Sequence, residues 1–316
     1  MKKKINFNNI KKEILNIKIL LIGDFMIDNY IIGESSRMSP EAPVPVVIPK
    51  KEYSIPGGAG NVAMNLCSMG VNVTCMGFIG NDIWGKKLNT ILKNEGAHTE
   101  YIDVIDNHPT TLKQRIYSNG KQVARLDSEK IIDWKPDSYN NRIYNNYDII
   151  ILSDYNKGAL NQSWFNIGDF NNVIVDPKKE NFEYYRKANI ITPNLNEIKR
   201  ASKIEINDES SLINACDELI NKCDFQYMVV KKGDKGMTII GKDNFKKDIK
   251  AHRVDQPDVT GAGDTVIAIL SIIYAITNDI ELSAFIANSA ASIVVDKPGT
   301  AVVNIDELEK KINNII

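Results

Sequence analysis

Six short apolar runs separated by longer amphipathic segments constrain this chain more than any other feature of its sequence. The runs cover 18–22, 71–79, 148–152, 172–175, 189–191 and 227–230, and each is bounded by Gly, Asp, Pro or Asn. Runs this short and this rich in Ile, Val and Leu read as buried strands. Between them, 61–69, 83–94, 138–147, 196–201 and 210–221 have the spacing of amphipathic helices. Strands that alternate with helices form a mainly parallel sheet covered on both faces. The expectation is an α/β, doubly wound fold in a single domain over 1–316, with ligands bound beyond the carboxyl ends of the strands.

Two segments break the alternation. The stretch 30–55 holds Pro40, Pro43, Pro45 and Pro49, which exclude a helix interior, and 44–48 suits an edge strand. The runs 110–117 and 121–126 flank Ser118, Asn119 and Gly120, a hairpin signal because Asn and Gly tolerate positive φ. Together they predict a small β-sheet lid built from about 30–56 and 110–127.

Charge and composition remove several classes of function. The 39 basic and 40 acidic residues are dispersed along 316 positions. No basic stripe is left to hold a nucleic-acid backbone, so nucleic acid is not expected as a partner. The apolar run at 19–22 stops at Gly23, too short for a signal peptide, and 266–276 is shorter than the roughly 20 residues of a membrane span. A cytoplasmic protein with no membrane partner is expected. Cys67, Cys75, Cys216 and Cys223 show no CxxC spacing and only His98, His108 and His252 could join them, so they are read as reduced thiols rather than zinc ligands.

The chemistry concentrates in Asp258-Val259-Thr260-Gly261-Ala262-Gly263-Asp264-Thr265, which leads into an apolar helix. Glycines just before a helix let backbone N–H groups converge on an anion, and the helix dipole adds to that preference. Asp264, in the first helical turn, taken alone reads as a capping carboxylate. Beside an anion hole it gains a second reading, as the base that accepts a hydroxyl proton during phosphoryl transfer.

This turn resembles the carboxyl-terminal signature of the ribokinase, or PfkB-type, carbohydrate kinases. The resemblance makes Asp264 the catalytic base and the amides of Gly261, Ala262 and Gly263 the anion hole. Gly57-Gly58-Ala59-Gly60-Asn61 resembles the same family's amino-terminal signature, in which Gly57, Gly58 and Asn61 meet the sugar. Further matches run from about Ile19 to about Leu308. Asp28 resembles the sugar-binding acid, with a solvated turn as its plainer reading. Asn194 and Glu197 resemble the NxxE element that organises Mg²⁺ and the nucleotide phosphates, and helix capping is the plainer reading there. Lys231, Gly233 and Gly236 lie in the loop that resembles the nucleotide loop. By the same resemblance Asp258 and Thr260 sit near a monovalent cation such as K⁺.

The segment from Gly33 to Val46 resembles the lid of the bacterial D-glycero-β-D-manno-heptose 7-phosphate kinases. Ser153 to Gly158, Val175 to Lys178 and Lys297 to Ala301 agree with it. The resemblance implies ATP-dependent phosphorylation of the anomeric hydroxyl, on the path to the activated heptose of lipopolysaccharide core. A substrate that already carries phosphate needs fixed cations away from the transfer site, and Arg37, Lys113, Arg115 and Arg125 in the lid are the candidates. Lys157 and Lys178 follow strand ends and could also meet phosphate, while Asp154 either meets substrate or caps a helix near Leu160.

Three features depart from the pattern. Lys231 stands where relatives more often have Thr, and Pro257 stands where an aromatic residue often precedes Asp258. The nucleotidylyltransferase domain of many relatives is not expected within 1–316. A homodimer is expected, because the lid presents strand edges that tend to be covered. Two alternatives stay open: another PfkB-type kinase for fructose phosphate, ribose or a nucleoside, and a noncatalytic sensor on the same fold.

Overall fold

The computed structural model describes residues 6–136, 143–161, 167, 172–255, 257–297 and 299–315. A short helix, α1 (Phe7–Ile14), precedes β1 (Lys18–Gly23). The chain then leaves the main sheet to build β2 (Phe25–Glu34) and β3 (Ile48–Gly58). It returns through α2 (Ala59–Ser68) to β4 (Asn72–Gly80), α3 (Ile83–Asn94) and β5 (His98–Ile105), then crosses out again as β6 (Thr111–Ser118) and β7 (Lys121–Ser128). There follow β8 (Ile149–Ser153), β9 (Val173–Asp176), β10 (Ile190–Ile191), α4 (Leu195–Ser202), α5 (Glu209–Cys223), β11 (Tyr227–Lys231), β12 (Met237–Gly241) and β13 (Phe245–Ile249). Three helices complete the described chain: α6 (Ala262–Thr277), α7 (Ile280–Val294) and α8 (Ile305–Asn313).

The main sheet has nine strands in the order β13-β12-β11-β10-β9-β8-β1-β4-β5. It is parallel except at one edge, where β12 and β13 run antiparallel. Alternation along β1 shows why both faces need helices: Ile19 and Leu21 enter one apolar cluster, Leu20 and Ile22 the other. Side chains in a strand point to opposite faces with period two, so a run with no polar residue must be buried on both sides. Helix α6 is buried from Asp264 through Tyr274, which makes it a core element.

The lid is a second sheet of order β3-β2-β6-β7. The β6–β7 hairpin closes through Asn119 (φ 50°) and Gly120 (φ 78°), both left-handed, as a tight hairpin turn requires. Pro49 and Pro56 lie on β3, which is an edge, where a missing N–H costs no ladder bond.

Three expectations change. The edge strand does not occupy 44–48; it begins at Ile48, and before it only an isolated bridge joins Met38 to Pro45. Asp28 is inside β2 and not in a turn after β1, because Phe25 to Ile32 continues as a strand of the other sheet. In the 138–147 segment, 138–142 lie outside the described residues, and Ile143–Asn146 is a single 3₁₀ turn.

Candidate active site

The carboxyl ends of β1, β8 and β9 lie side by side, with Gly23 paired to Ser153 and Ser153 to Asp176. The amino terminus of α6 points into this row of strand ends. Its cap, Gly261, has φ 77°, and a Cβ there would stand 2.6 Å from Asn61 Nδ2, so both conformation and space demand glycine.

Asp264, in the first turn of α6, is 6% exposed. Its Oδ2 accepts from Asn61 Nδ2 at 2.8 Å and its Oδ1 from the Tyr155 hydroxyl at 2.7 Å. Asn61 is fixed in turn, because Asn65 Nδ2 donates to its carbonyl at 3.0 Å and Thr265 Oγ1 donates to Asn65 Oδ1 at 3.1 Å. Helices α2 and α6 are thus tied together around the carboxylate. Burial pushes the Asp264 carboxyl up to about 6, with the Tyr155 and Asn61 hydrogen bonds offsetting part of the rise. Such a group is ionised at neutral pH yet basic enough to accept a proton in a transition state.

At the lid, a Cβ on Gly57 would sit 2.3 Å from Asp28 Oδ2, so glycine lets that carboxylate occupy its place. Arg115 Nη1 donates to Asp28 Oδ1 at 2.5 Å, and its guanidinium lies 5.3 Å from the Tyr30 ring centroid. Lys113 Nζ rests 5.5 Å from the Tyr155 ring centroid, and burial pulls its ammonium below the usual lysine range. The structure therefore brings Lys113 and Arg115 to Asp28 and leaves two of the four lid cations in solvent. Arg125 is exposed and pairs with Asp127 on its own strand at 2.9 Å, and Arg37 is exposed.

On the other side of α6 lies a cavity of about 410 Å³ lined by Lys231, Gly233, Gly236, Pro257, Ala262, Gly263 and, from α7, Asn288, Ala291 and Ser292. Lys231 forms a partly buried ion pair with Asp176, and its Nζ lies 3.4 Å from where a Cβ on Gly263 would be. Burial pulls the Lys231 ammonium down, and Asp176 and Glu197 more than offset it, so the net direction is upward. A fixed cation therefore stands between the cavity and Asp264.

Other residues are engaged elsewhere. Asn194 and Glu197 form a reciprocal capping box at 2.9 Å and 2.9 Å, so the capping reading is realised; Glu197 is buried and its carboxyl is pushed up by that burial. Asp258 Oδ1 accepts from the Thr260 amide at 3.1 Å and its Oδ2 from the Gly299 amide at 2.8 Å. Among the described residues Asp154 caps no helix: it is buried against Lys179 Nζ (2.8 Å) and the Tyr185 hydroxyl (2.5 Å), and its Oδ1 accepts from the Asn156 amide at 2.6 Å. Lys157 pairs with Glu129 at 2.8 Å, and Lys178 lies 4.0 Å from Glu197.

Sequence reasoning missed Tyr155, and it missed the α7 wall of the cavity. No local pattern links position 155 to 264. On α7, the small residues Ala287, Ala291 and Ser292 carry a helical spacing that signals close approach, though not of what.

The profile of the pfkB family carbohydrate kinases matches residues 16–307. The chain belongs to this family. Bifunctional protein HldE of Aliarcobacter butzleri is 41% identical over 304 residues, which are 92% of this chain and 63% of that protein. Bifunctional protein HldE of Haemophilus influenzae is 37% identical over 316 residues, 95% of this chain and 64% of that protein. The chain thus spans less than two thirds of the length of these curated relatives. Among solved structures, the Arabidopsis thaliana ribokinase complexed with ribose and ATP superposes with a TM-score of 0.76 at 19% identity, covering 94% of this chain and 98% of that one. The chain is a pfkB carbohydrate kinase with a ribokinase-like fold: a large, mostly parallel sheet and a smaller one. Among its described residues no helix is long and apolar enough to cross a membrane.

Proposed function

We propose that this kinase transfers the γ-phosphoryl group of ATP to the anomeric hydroxyl of D-glycero-β-D-manno-heptose 7-phosphate, giving the 1,7-bisphosphate used for lipopolysaccharide core precursors. The observation that carries the choice of sugar is the pair Lys113 and Arg115 beside Asp28. These are two fixed cations on the sugar side, on the lid sheet and not on the helix that carries Asp264, where a substrate that already bears phosphate needs them.

In this reading Asp28 and Asn61 hold the sugar hydroxyls. Asp264 accepts the proton of the acceptor oxygen as its bond to the γ-phosphorus forms and the bond to the ADP oxygen breaks. The amides of Gly261 and Gly263, joined by the Lys231 ammonium, face the charge on the transferring group, while the Ala262 amide, expected to join them, donates to the Val259 carbonyl at 3.2 Å. The cavity behind Gly263 has the size and partly apolar wall expected of a nucleotide site, and Pro257 takes the place of the aromatic wall.

Among the described residues no cluster of three or more His, Cys, Asp or Glu side chains could hold a metal ion alone. In this reading Glu197, beside Lys231 and Asp176, would act through water on Mg²⁺ carried by the nucleotide phosphates, and the bound ion would neutralise phosphate charge. A monovalent cation beside Asp258 and Thr260 belongs to the same reading. So does a homodimer formed through the lid, where β7 is exposed along its whole length and carries Val123 and Leu126 in solvent. A cytoplasmic location agrees with four free cysteines.

The test is ATP-dependent phosphorylation of the heptose 7-phosphate beside fructose 6-phosphate and ribose, followed by ³¹P NMR, with Asp264→Asn as control. Preference for the heptose phosphate, lost in the variant, is expected. Turnover only on another sugar would overturn the choice of substrate, and sugar binding without turnover on any would point to a sensor.

A further inference from the structure

Asp264 has two hydrogen-bond partners, and the chemistry above gives a role to only one of them, Asn61. The other, Tyr155, stands in the turn after β8, and its hydroxyl donates to Asp264 Oδ1 at 2.7 Å. Its own backbone is held from behind. The Tyr155 amide donates to Asp24 Oδ2 at 2.8 Å, and the same buried carboxylate takes the amides of Lys157 and Ala159, each at 3.0 Å. Asp24 spends its acceptor capacity on this turn, which fixes where the phenol can reach.

We propose that Tyr155 is a positioning residue for the base: its hydroxyl pins Oδ1 while Asn61 pins Oδ2, so the carboxylate meets the acceptor hydroxyl in one orientation. The inference rests on Asp264 being that base. The terminal torsion of an Asp side chain is broad and roughly two-fold, so one donor alone leaves the plane free to rock. Donors on separate oxygens remove that freedom, and hydrogen bonds to an ionised acceptor are the stronger kind. Misaligned reacting groups lose rate steeply, which gives the second donor a kinetic consequence.

Tyr155 cannot compete for the proton it helps to place. Burial, with Asp264 and Asp176 adding to it, pushes its phenol well above the ordinary tyrosine value, so it stays a donor throughout the working range. The other groups facing Asp264 are Lys231 on β11, which favours its ionised form, and Asp176 on β9, which opposes it. Beyond the ring lie Asp28 on β2 and Lys113 on β6. Removing the phenol O–H therefore subtracts one donor and leaves these charges in place.

Tyr155→Phe keeps the ring and its packing. Loss of a hydrogen bond to a charged group predicts a fall in kcat of about tenfold to a hundredfold, with KM for the sugar within about threefold. The acid limb of the pH–rate profile should move to higher pH. The midpoint of the Asp264 carboxyl, read by ¹³C NMR in the full chain without turnover, should rise with it. Difluorotyrosine placed at 155, an isosteric and stronger donor, should lower that midpoint and so guards against a Phe variant that folds poorly. An unchanged kcat, or a midpoint that stays put in both variants, overturns the proposal. If the unaltered chain phosphorylates no sugar, the assignment of Asp264 as base fails, while the midpoint measurement still decides whether Tyr155 governs that carboxyl.

Discussion

Asp264→Asn should make the protein more stable at neutral pH while it stops turnover. The native carboxyl is raised from 3.8 to about 6, chiefly by burial. A rise in the folded state means the native protein binds a proton that the unfolded chain has already released. Stability is therefore fully present below about 4 and is lost as pH climbs through about 6. Two units correspond to a ceiling of about 3 kcal/mol, the standing cost of keeping this charge buried at pH 7 and above. Asn avoids that cost and keeps the shape, with its carbonyl accepting from Asn61 and its amide donating to the Tyr155 oxygen. Those bonds are neutral and weaker, which brings the net gain to about 1–3 kcal/mol. For 316 residues this amounts to a Tm higher by about 2–5 °C. Scanning calorimetry of both proteins from pH 4 to 8 should show no gap near pH 4, a gap that opens between 4 and 6, and a plateau above it. Turnover should fall by about 10²–10⁴. A variant less stable than its parent at pH 8, or a gap that does not change with pH, would refute the reasoning.

Other perturbations follow from the same geometry. Activity of the unaltered kinase should rise with pH through about 6, because the ionised Asp264 is the working form; a pH–rate profile flat from 5 to 8 would count against it. Lys231→Met strands the partly buried Asp176 and should cost about 1–3 kcal/mol in urea unfolding, while the pair Asp176→Asn, Lys231→Met recovers most of the stability and little of the ATP affinity. Gly261→Ala places a Cβ on Asn61 Nδ2 at a left-handed φ, so kcat should fall at least about tenfold while the adenosine affinity of the cavity is kept. Arg115→Ala should raise KM for a phosphorylated sugar by about tenfold to a hundredfold and leave KM for ATP nearly unchanged, as paired initial-rate titrations would show.

The main sheet could be read from sequence because its strands are apolar on both faces and stop at residues that break strands. Burial and local conformation point the same way there. The Gly261–Asp264 turn could be read because Gly261 caps, and Gly263 lies in the first turn of, a helix too apolar to lie at the surface. The lid's first strand could not. Phe25 follows β1 after a break of one residue, Asp24, and nothing local says that a strand has changed sheets. Asn194 and Glu197 present the converse case: their pattern satisfies a capping box completely, so the residues alone cannot show whether they also serve a nucleotide.

Asp154 and Tyr155 locate the limit of such reading. They are adjacent, Asp154 is buried and Tyr155 half-buried, and the acid looks the better candidate for chemistry. Yet Asp154 is taken up by Lys179 and Tyr185, and Tyr155 touches Asp264. Successive residues in extended backbone face opposite sides, so only one of the two can point at α6. Which one depends on where β8 ends. Ser153 is the last residue paired on both sides, with Gly23 and with Asp176, and the Asp154 amide still donates to the Asp176 carbonyl. That last ladder bond commits Asp154 to the face of Tyr185 and turns Tyr155 toward Asp264. The phase of a single hydrogen bond between two strands, set by residues 22 positions apart in sequence, therefore decides which side chain reaches the Asp264 carboxylate.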